Sequence, residues 1–269
     1  MLIDAIKTTL GALARQPHKF GKIFTRAGFQ TFMQMVRRQP KTAAYAAKIA
    51  AERRLSFEQG NWNHAQGVSQ RRYESYESYV AHQKSKLEDF FKDGINFDRS
   101  DRWLDMFRRR FELVGELRKP ATVLCLAARN GAEVQSLIGL GHFAIGIDLN
   151  PGPGNPYVVT GDFHALVFGE ATVDAVYTNS LDHAFDLARV TAEVRRVLKP
   201  GGLFILDAVS GYEEGYTVGD HDCMHWPTAR GFAEQVAEAG GFSVRRGTNL
   251  TPHGSKDFWQ FILMKAAPG

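Results

Sequence analysis

The residues best suited to chemistry lie after residue 120, at the ends of short apolar runs. The first run is VLCLAARNG, Val123 to Gly131, a buried-strand pattern leading into a turn and a helix start. Ala127, Ala128, Arg129 and Asn130 stand where a dinucleotide-binding turn would place further glycines, and only Gly131 remains. Backbone N–H groups of Asn130 to Glu133 point outward from such a helix start and favour a carboxylate or phosphate. The second run, FAIGID, ends at Asp148, 17 residues after Gly131. A strand-end carboxylate at that spacing can accept both hydroxyl hydrogens of a ribose, or cap the following turn. In the third, TGDFHAL, Asp162 could accept from an adenine amino group while Phe163 offers its N–H, or the stretch could be an ordinary turn.

The fourth run, YTNSLDHAF, brings His183 beside Asp182. An imidazole titrates near working pH and a carboxylate can orient it, so the pair reads as a general base and its partner. A capping Asp and a His bonded to nearby backbone is the other reading. His164 is a second candidate base, but its neighbours place it beside the adenine position. His221, Asp222, Cys223 and His225 in GDHDCMHW are all potential metal ligands, yet they lack the CxxC or HxxxH spacing of a tetrahedral site. No metal is expected there; the loop is expected to line an acceptor pocket, with Tyr216 and Trp226 as an apolar wall.

These residues need a scaffold that gathers strand ends. After Lys119 and Pro120, the runs ATVLCLA, HFAIGID, YVVT, VDAVYTN and GLFILD alternate with helical stretches, of which GAEVQSLIGLG and FDLARVTAEVRRVL are clearest. Such alternation predicts a parallel, doubly wound sheet with right-handed crossovers, whose ligands sit beyond the carboxyl ends of the strands. GFSVRRGTNL and DFWQFILMK predict a hairpin, and so an antiparallel pair at one edge. The Pro-Gly-Gly corner in VLKPGGLFILD places Lys199 at a helix C-terminus, where positive charge is favourable.

Before residue 115 the pattern is helical. Leu2, Ile3, Ile6, Leu10 and Leu13 share one face, as do Trp103, Phe107, Phe111 and Val114. QGNWNHAQG reads as a loop and RRYESYESYVAHQKSKLEDFF as a long polar helix. The predicted organisation is therefore a helical region over 1–115, basic to about residue 55, and an α/β domain over 116–269. Residues 1–55 hold 11 Lys or Arg against Asp4 and Glu52, a net of +9, leaving −5 for the rest of a chain whose total is +4. Two cysteines, Cys125 and Cys223, form no framework, and no apolar run approaches the roughly 20 residues that span a bilayer. A cytoplasmic protein is expected, peripheral to a membrane if the basic segment meets an anionic surface. The alternative for that segment is a lid or dimer surface; oligomeric state is not legible.

Taken in order, LCLAARNG, GIDLNPGP, GDFHAL, VYTNSLDH and RVLKPGG resemble the class I S-adenosylmethionine-dependent methyltransferases over about Pro120 to Lys265. The glycine-poor turn resembles a subgroup with a basic residue inside it. The resemblance implies a Rossmann-like, seven-stranded, mostly parallel sheet with an antiparallel last pair, and S-adenosyl-L-methionine as cofactor. It also implies a cofactor site made by Ala127, Ala128, Arg129, Gly131, Asp148, Leu149, Asp162, Phe163 and Asn179. Asp148 would hold the ribose, Asp162 and Phe163 the adenine, and Asn179 the methionine end. Tyr79, Gln83 and Lys86 could close over it from the preceding helix, or form a solvated helix face. Arg129 would pair with the methionine carboxylate or stiffen the loop from outside. The chain departs from the family's common pattern where Cys125 replaces an acid and Ala127 and Arg129 replace glycines. S-adenosylmethionine has no pyrophosphate to bring against the backbone, so one glycine can suffice.

A sulfonium is already electrophilic, so positioning and desolvation can carry much of the transfer. The expected activity is methyl transfer to a small-molecule or glycan acceptor, on oxygen, with His183 and Asp182 as catalytic residues. An RNA methyltransferase guided by the basic segment and a non-catalytic cofactor-binding scaffold are the alternatives. No RNA-binding module is recognisable, and nucleic acid is not the expected partner.

Overall fold

A computed structural model describes residues 43–64, 67–92, 101–152, 154–253, 255 and 257–267. The apolar face from Leu2 to Leu13 and most of the basic segment lie outside the described residues. The chain divides into two compact units, 1–52 and 53–269. No described helix is long and apolar enough to cross a membrane.

The larger unit is built on seven strands: β3 (Thr122–Leu126), β4 (Phe143–Asp148), β5 (Val158–Thr160), β6 (Val173–Thr178), β7 (Leu198–Val209), β9 (Phe242–Asn249) and β10 (Phe258–Lys265). Their order is β5-β4-β3-β6-β7-β10-β9, with β10 antiparallel to both neighbours. Strand order reverses between β3 and β6, so the crevice beyond their carboxyl ends is where such a sheet binds ligands. Alternate residues of each strand face opposite layers. Leu124, Leu126, Val176, Phe204 and Leu206 pack on one side with Val190 and Val194 of α5 (Leu187–Val197) and Phe232 and Val236 of α6 (Ala229–Gly240). Val123, Cys125, Ala175, Tyr177 and Ile205 pack on the other with Phe107 and Phe111 of α3 (Asp101–Glu112) and Val134 and Leu137 of α4 (Ala132–Gly139). Burial on both faces explains why the strands read as continuous apolar runs.

The N-terminal part of this unit departs from the helical expectation. α1 (Ala43–Gln59) is followed by β1 (Trp62–Asn63) and β2 (Ser69–Arg71), which join β8 (Met224–His225) in a second sheet of order β1-β2-β8. The long polar helix therefore begins late: α2 spans Tyr76–Lys92, and Arg71 is in a strand. The Arg71 guanidinium lies 4.9 Å from the Trp62 ring and donates to the carbonyls of Asp222 and Gly219. That sheet ties the segment before α2 to the loop after β7. Lys199 also differs from expectation, since it is the second residue of β7 and its ammonium pairs with Asp174 at 2.7 Å rather than with helix carbonyls.

α3 is fixed to the sheet by a buried polar cluster. The Arg110 guanidinium donates to Asp207 at 2.9 Å and to the Ser255 hydroxyl at 3.0 Å, while the Tyr177 hydroxyl and the Gln260 amide donate to the same Asp207 carboxylate. Both charged groups are almost wholly buried. Removing one partner strands the other's charge, so Arg110→Ala is expected to destabilise the fold by about 3 to 5 kcal/mol. Lys199→Ala, which breaks a half-exposed pair, should cost under about 1 kcal/mol. Urea unfolding of the two variants measures the difference, and equal midpoints would contradict a structural role for Arg110.

Candidate active site

The turn after β3 sets the geometry of the crevice. Ala127, Arg129 and Gly131 hold positive φ values of 53°, 40° and 79°. A Cβ on Gly131 would come within 2.8 Å of the Tyr157 Cβ and 3.0 Å of Val158, so glycine is required there by packing beside β5 as well as by φ. Ala128 is small for a related reason: a Cβ on Gly146 of β4 would lie 2.6 Å from that of Ala128. The Asp148 carboxylate holds the turn from the next strand, accepting from the Arg129 amide at 2.9 Å through Oδ2 and from the Asn150 amide at 2.8 Å through Oδ1. Each oxygen keeps one further lone pair.

Two cavities open along the strand ends. The first is lined by Asp148, Leu149, Asn150, Gly161 and Phe163 from the sheet and by Tyr79, Gln83 and Lys86 of α2. The second, of about 370 Å³, is lined by Asn179, Asp182, Ala128, Asn130 and Glu133, with Trp103, Phe107 and Phe258 as an apolar wall. Ala127, Arg129, Ser180, His183 and Lys86 line both. Every residue expected to be catalytic or cofactor-binding, except Asp162 and Gly131, thus borders one cavity or both, whereas Tyr216, expected on the acceptor wall, lines a separate cavity. Arg129 is half-buried between them, not turned to solvent.

Asp162 sits behind Phe163 with its oxygens engaged. Oδ1 accepts from the amide and the imidazole of His164, each at 2.8 Å, and Oδ2 accepts from the Tyr76 hydroxyl. Burial opposes its ionisation, but these hydrogen bonds outweigh burial and hold the carboxyl at about 2. The other His164 nitrogen accepts from the amides of Phe185 and Asp186, so this buried imidazole is a structural joint.

At the junction of the cavities, His183 Nδ1 lies 2.9 Å from the His221 carbonyl. A carbonyl only accepts, so the proton is on Nδ1 and Nε2 is the acceptor. Nε2 faces the Lys86 ammonium at 2.5 Å and Asp182 Oδ2 at 3.6 Å. Burial, then the Lys86 charge, pushes His183 down to about 3. Burial and Arg129 push Lys86 down to about 8, against Asp182 and Asp222. Burial lifts Asp182 to about 6, against the pull of Lys86. His183 is therefore neutral at physiological pH, and the group here that titrates near it from the acid side is Asp182.

The HDCMH residues do not converge. Cys223 is buried against the Tyr73 hydroxyl at 3.0 Å and the Gln83 amide at 3.1 Å, and burial pushes its thiol up to about 12. His225 packs edge-on to Phe57. Asp222 does approach Asp182 and His183, their ligand atoms lying within 4.8 Å of one another, but Lys86 supplies the positive charge there. Trp226 is also not a cleft wall: it stacks on Phe232 with centroids 3.7 Å apart, and its Nε1 donates to the Val209 carbonyl. Glu133, buried on the wall of the second cavity, was not singled out as a side chain, because an acid in a first helical turn reads as a complement to the helix dipole.

Residues 124–206 match a family model described as a methyltransferase domain. The 24-methylenesterol C-methyltransferase 3 of Arabidopsis thaliana is 30% identical over 127 residues, 40% of this chain and 33% of the plant protein. The match thus spans about a third of that relative's length. The solved structure of Burkholderia thailandensis 1,6-didemethyltoxoflavin-N1-methyltransferase, with 1,6-didemethyltoxoflavin and S-adenosylhomocysteine bound, shares the fold at a TM-score of 0.59 and 17% identity, covering 77% of this chain and 100% of that one. Residues 124–206 are thus matched as a methyltransferase domain, and the chain shares the fold of the Burkholderia enzyme.

Proposed function

We propose that the protein transfers the methyl group of S-adenosylmethionine to a hydroxyl oxygen of a small-molecule or glycan acceptor. The observation that carries this reading is the pair of cavities meeting at Ala127, Arg129, Ser180, His183 and Lys86. The first, about 70 Å³ under α2, runs from the Asp148 strand end, and the second, about 370 Å³, has the aromatic wall. When bound, the cofactor supplies an electrophilic sulfonium methyl. Asp148, whose remaining lone pairs face the first cavity, accepts from the ribose hydroxyls; Leu149 and Phe163 flank the base, with Asp162 behind them. Asn179 and Arg129 meet the methionine end. Gln83, Tyr79 and Lys86 close over the nucleoside, so α2 lifts for entry and settles to exclude water. The acceptor ring lies against Trp103, Phe107 and Phe258, and the meeting point of the cavities sets its nucleophile in line with the methyl.

A hydroxyl must lose its proton as the methyl arrives. At neutral pH Asp182 is mostly ionised and Lys86 holds His183 neutral beside it, so Asp182 receives the proton while His183, fixed through the His221 carbonyl, orients the acceptor. This reverses the roles expected for the two from sequence. The RNA alternative rests on residues 1–55, most of which lie outside the described residues, and no observation favours it.

Asp148→Ala should weaken binding of S-adenosylhomocysteine by about 1 to 3 kcal/mol, the scale for removing a hydrogen-bonding partner of a buried group. Calorimetry measures this; unchanged affinity, or wild-type binding of NAD in preference to S-adenosylhomocysteine, would contradict the reading. Activity should fall as pH drops through about 6, because a protonated Asp182 cannot accept. Asp182→Asn should cost roughly 10² to 10⁴-fold in turnover and abolish that limb, while His183→Ala should keep it. A limb lost in the His183 variant and retained in Asp182→Asn would restore the histidine as base.

A further inference from the structure

A third cavity, of about 390 Å³, lies between α1 and the loop that follows β7, and none of the residues lining it borders either cavity at the strand ends. That volume falls within the range of small-molecule pockets, roughly 300 to 1,000 Å³. Its walls are aromatic: Phe57 from α1, Tyr212 and Tyr216 from the loop, and His225 from β8. Their rings meet at centroid separations of 4.9 to 6.1 Å, edge-on or tilted, so they form a continuous surface rather than a cage around a point. The loop is held in place, since the Tyr212 amide donates to the Trp226 carbonyl and the Tyr216 amide to the Gly211 carbonyl, each at 3.0 Å.

Two polar groups on this wall are left unused by the fold. His225 is 3% exposed, and burial alone pushes its imidazole down to about 4, with no hydrogen bond or neighbouring charge acting on it. The ring is therefore neutral, with one N–H and one bare nitrogen that have no partner among the described residues. Burying such a group unpartnered costs free energy, which a ligand that completes its hydrogen bond offsets. Arg54 is the opposite case, with its side chain 79% exposed. Its Nε donates to Glu58 at 2.8 Å, which leaves the two terminal nitrogens without a partner among the described residues. The cavity thus runs from an exposed cation to a buried neutral imidazole. An anionic group fits the first, where it stays hydrated, and a neutral polar atom fits the second, where a charge would lose its water with nothing to pair it.

We propose that this cavity is a binding site for a planar aromatic acid that carries a hydroxyl or carbonyl at the end away from its carboxylate. The rings of Phe57, Tyr212 and Tyr216 take the aromatic body, His225 meets the neutral polar atom, and Arg54 meets the carboxylate. Aromatic contact supplies most of the affinity, because the surface is large and already formed, while the two polar groups fix orientation. The ligand is distinct from whatever occupies the strand-end crevice, since the two places share no wall. The site therefore stands independently of the cofactor reading given above.

The test is a fluorescence titration of the full chain with 6-hydroxy-2-naphthoate, compared with 2-naphthoate, which lacks the hydroxyl, and 2-naphthol, which lacks the carboxylate. Wild type should bind 6-hydroxy-2-naphthoate saturably at one site, roughly 2- to 12-fold more tightly than 2-naphthoate, the range for one neutral hydrogen bond. It should prefer 6-hydroxy-2-naphthoate to 2-naphthol by roughly 2- to 5-fold, the scale of an exposed charge pair, and added salt should shrink that preference. His225→Phe keeps a ring and removes both nitrogens. It should erase the preference over 2-naphthoate and hold 2-naphthoate within about 2-fold of wild type, which also reports that the variant is folded. If that variant does not fold, the ring-nitrogen resonances of His225 in wild type decide the same point, moving with 6-hydroxy-2-naphthoate and not with 2-naphthoate. Arg54→Gln, at an exposed position, should erase the preference over 2-naphthol. Saturating S-adenosylhomocysteine should leave all three affinities unchanged. Wild type that binds none of the three saturably, so that the cavity holds water alone, overturns the proposal. So do preferences that survive both substitutions, and displacement of the naphthoate by S-adenosylhomocysteine, which would put it in the strand-end crevice.

Discussion

The crevice depends on one carboxylate holding one strained turn. Ala127 and Arg129 occupy left-handed backbone conformations that cost side-chain-bearing residues on the order of 1 to 3 kcal/mol each. Asp148 offsets part of that by accepting from the Arg129 amide, and it secures its own strand exit by accepting from Asn150. A glycine-rich turn would adopt this shape readily; this chain adopts it because β4 ends in an acid. In return the turn carries a guanidinium into the cleft, where a glycine would offer only backbone. The same residues therefore shape the turn and supply charges on the cavity walls.

A second constraint comes from α2, which stands over the strand ends through three contacts to separate parts of the site. Tyr76 donates to Asp162 behind the base position, Gln83 to the His221 carbonyl, and Lys86 to His183 at the centre. Burial and the Lys86 ammonium at its Nε2 keep His183 neutral, while burial lifts the neighbouring Asp182 carboxyl to about 6 against the pull of Lys86. The polarity of the centre is thus set by a helix outside the sheet. Movement of α2 would change access and protonation together.

The parallel sheet was legible because its central strands are buried on both faces, which makes VLCL and most of VDAVYT apolar, while FAIGID is apolar up to Asp148 even though its first half is partly exposed. Asp148 could be placed on the first cavity because strand ends are where such folds open their crevice, but the same rule put Asp162 there too, and its oxygens are engaged by His164 and Tyr76. The second sheet was not: strands of two or three residues, such as Trp62–Asn63, show no periodicity, and the strand that pairs with Ser69–Arg71 contains His225, over 150 residues away. Trp226 and Trp103 exchanged expected places. The first followed a loop and proved to be core, while the second belongs to a helix stripe whose open end, 49% exposed, borders the second cavity. The pairing of Lys86 with His183 spans 97 positions, and its consequence for proton transfer depends on burial that residue types alone do not convey.

The central claim is that the cofactor lies across the ends of β3, β4 and β6, with its nucleoside at Asp148 and its sulfur where the two cavities meet. A crystal structure of the protein with S-adenosylhomocysteine tests it most directly. The account expects both ribose hydroxyls within hydrogen-bond distance of the Asp148 carboxylate, the sulfur beside Ala127 and His183, and α2 packed over the nucleoside. A ligand whose ribose lies away from Asp148, or whose sulfur opens to a side of the sheet other than the cavity bordered by Trp103 and Phe258, would contradict it.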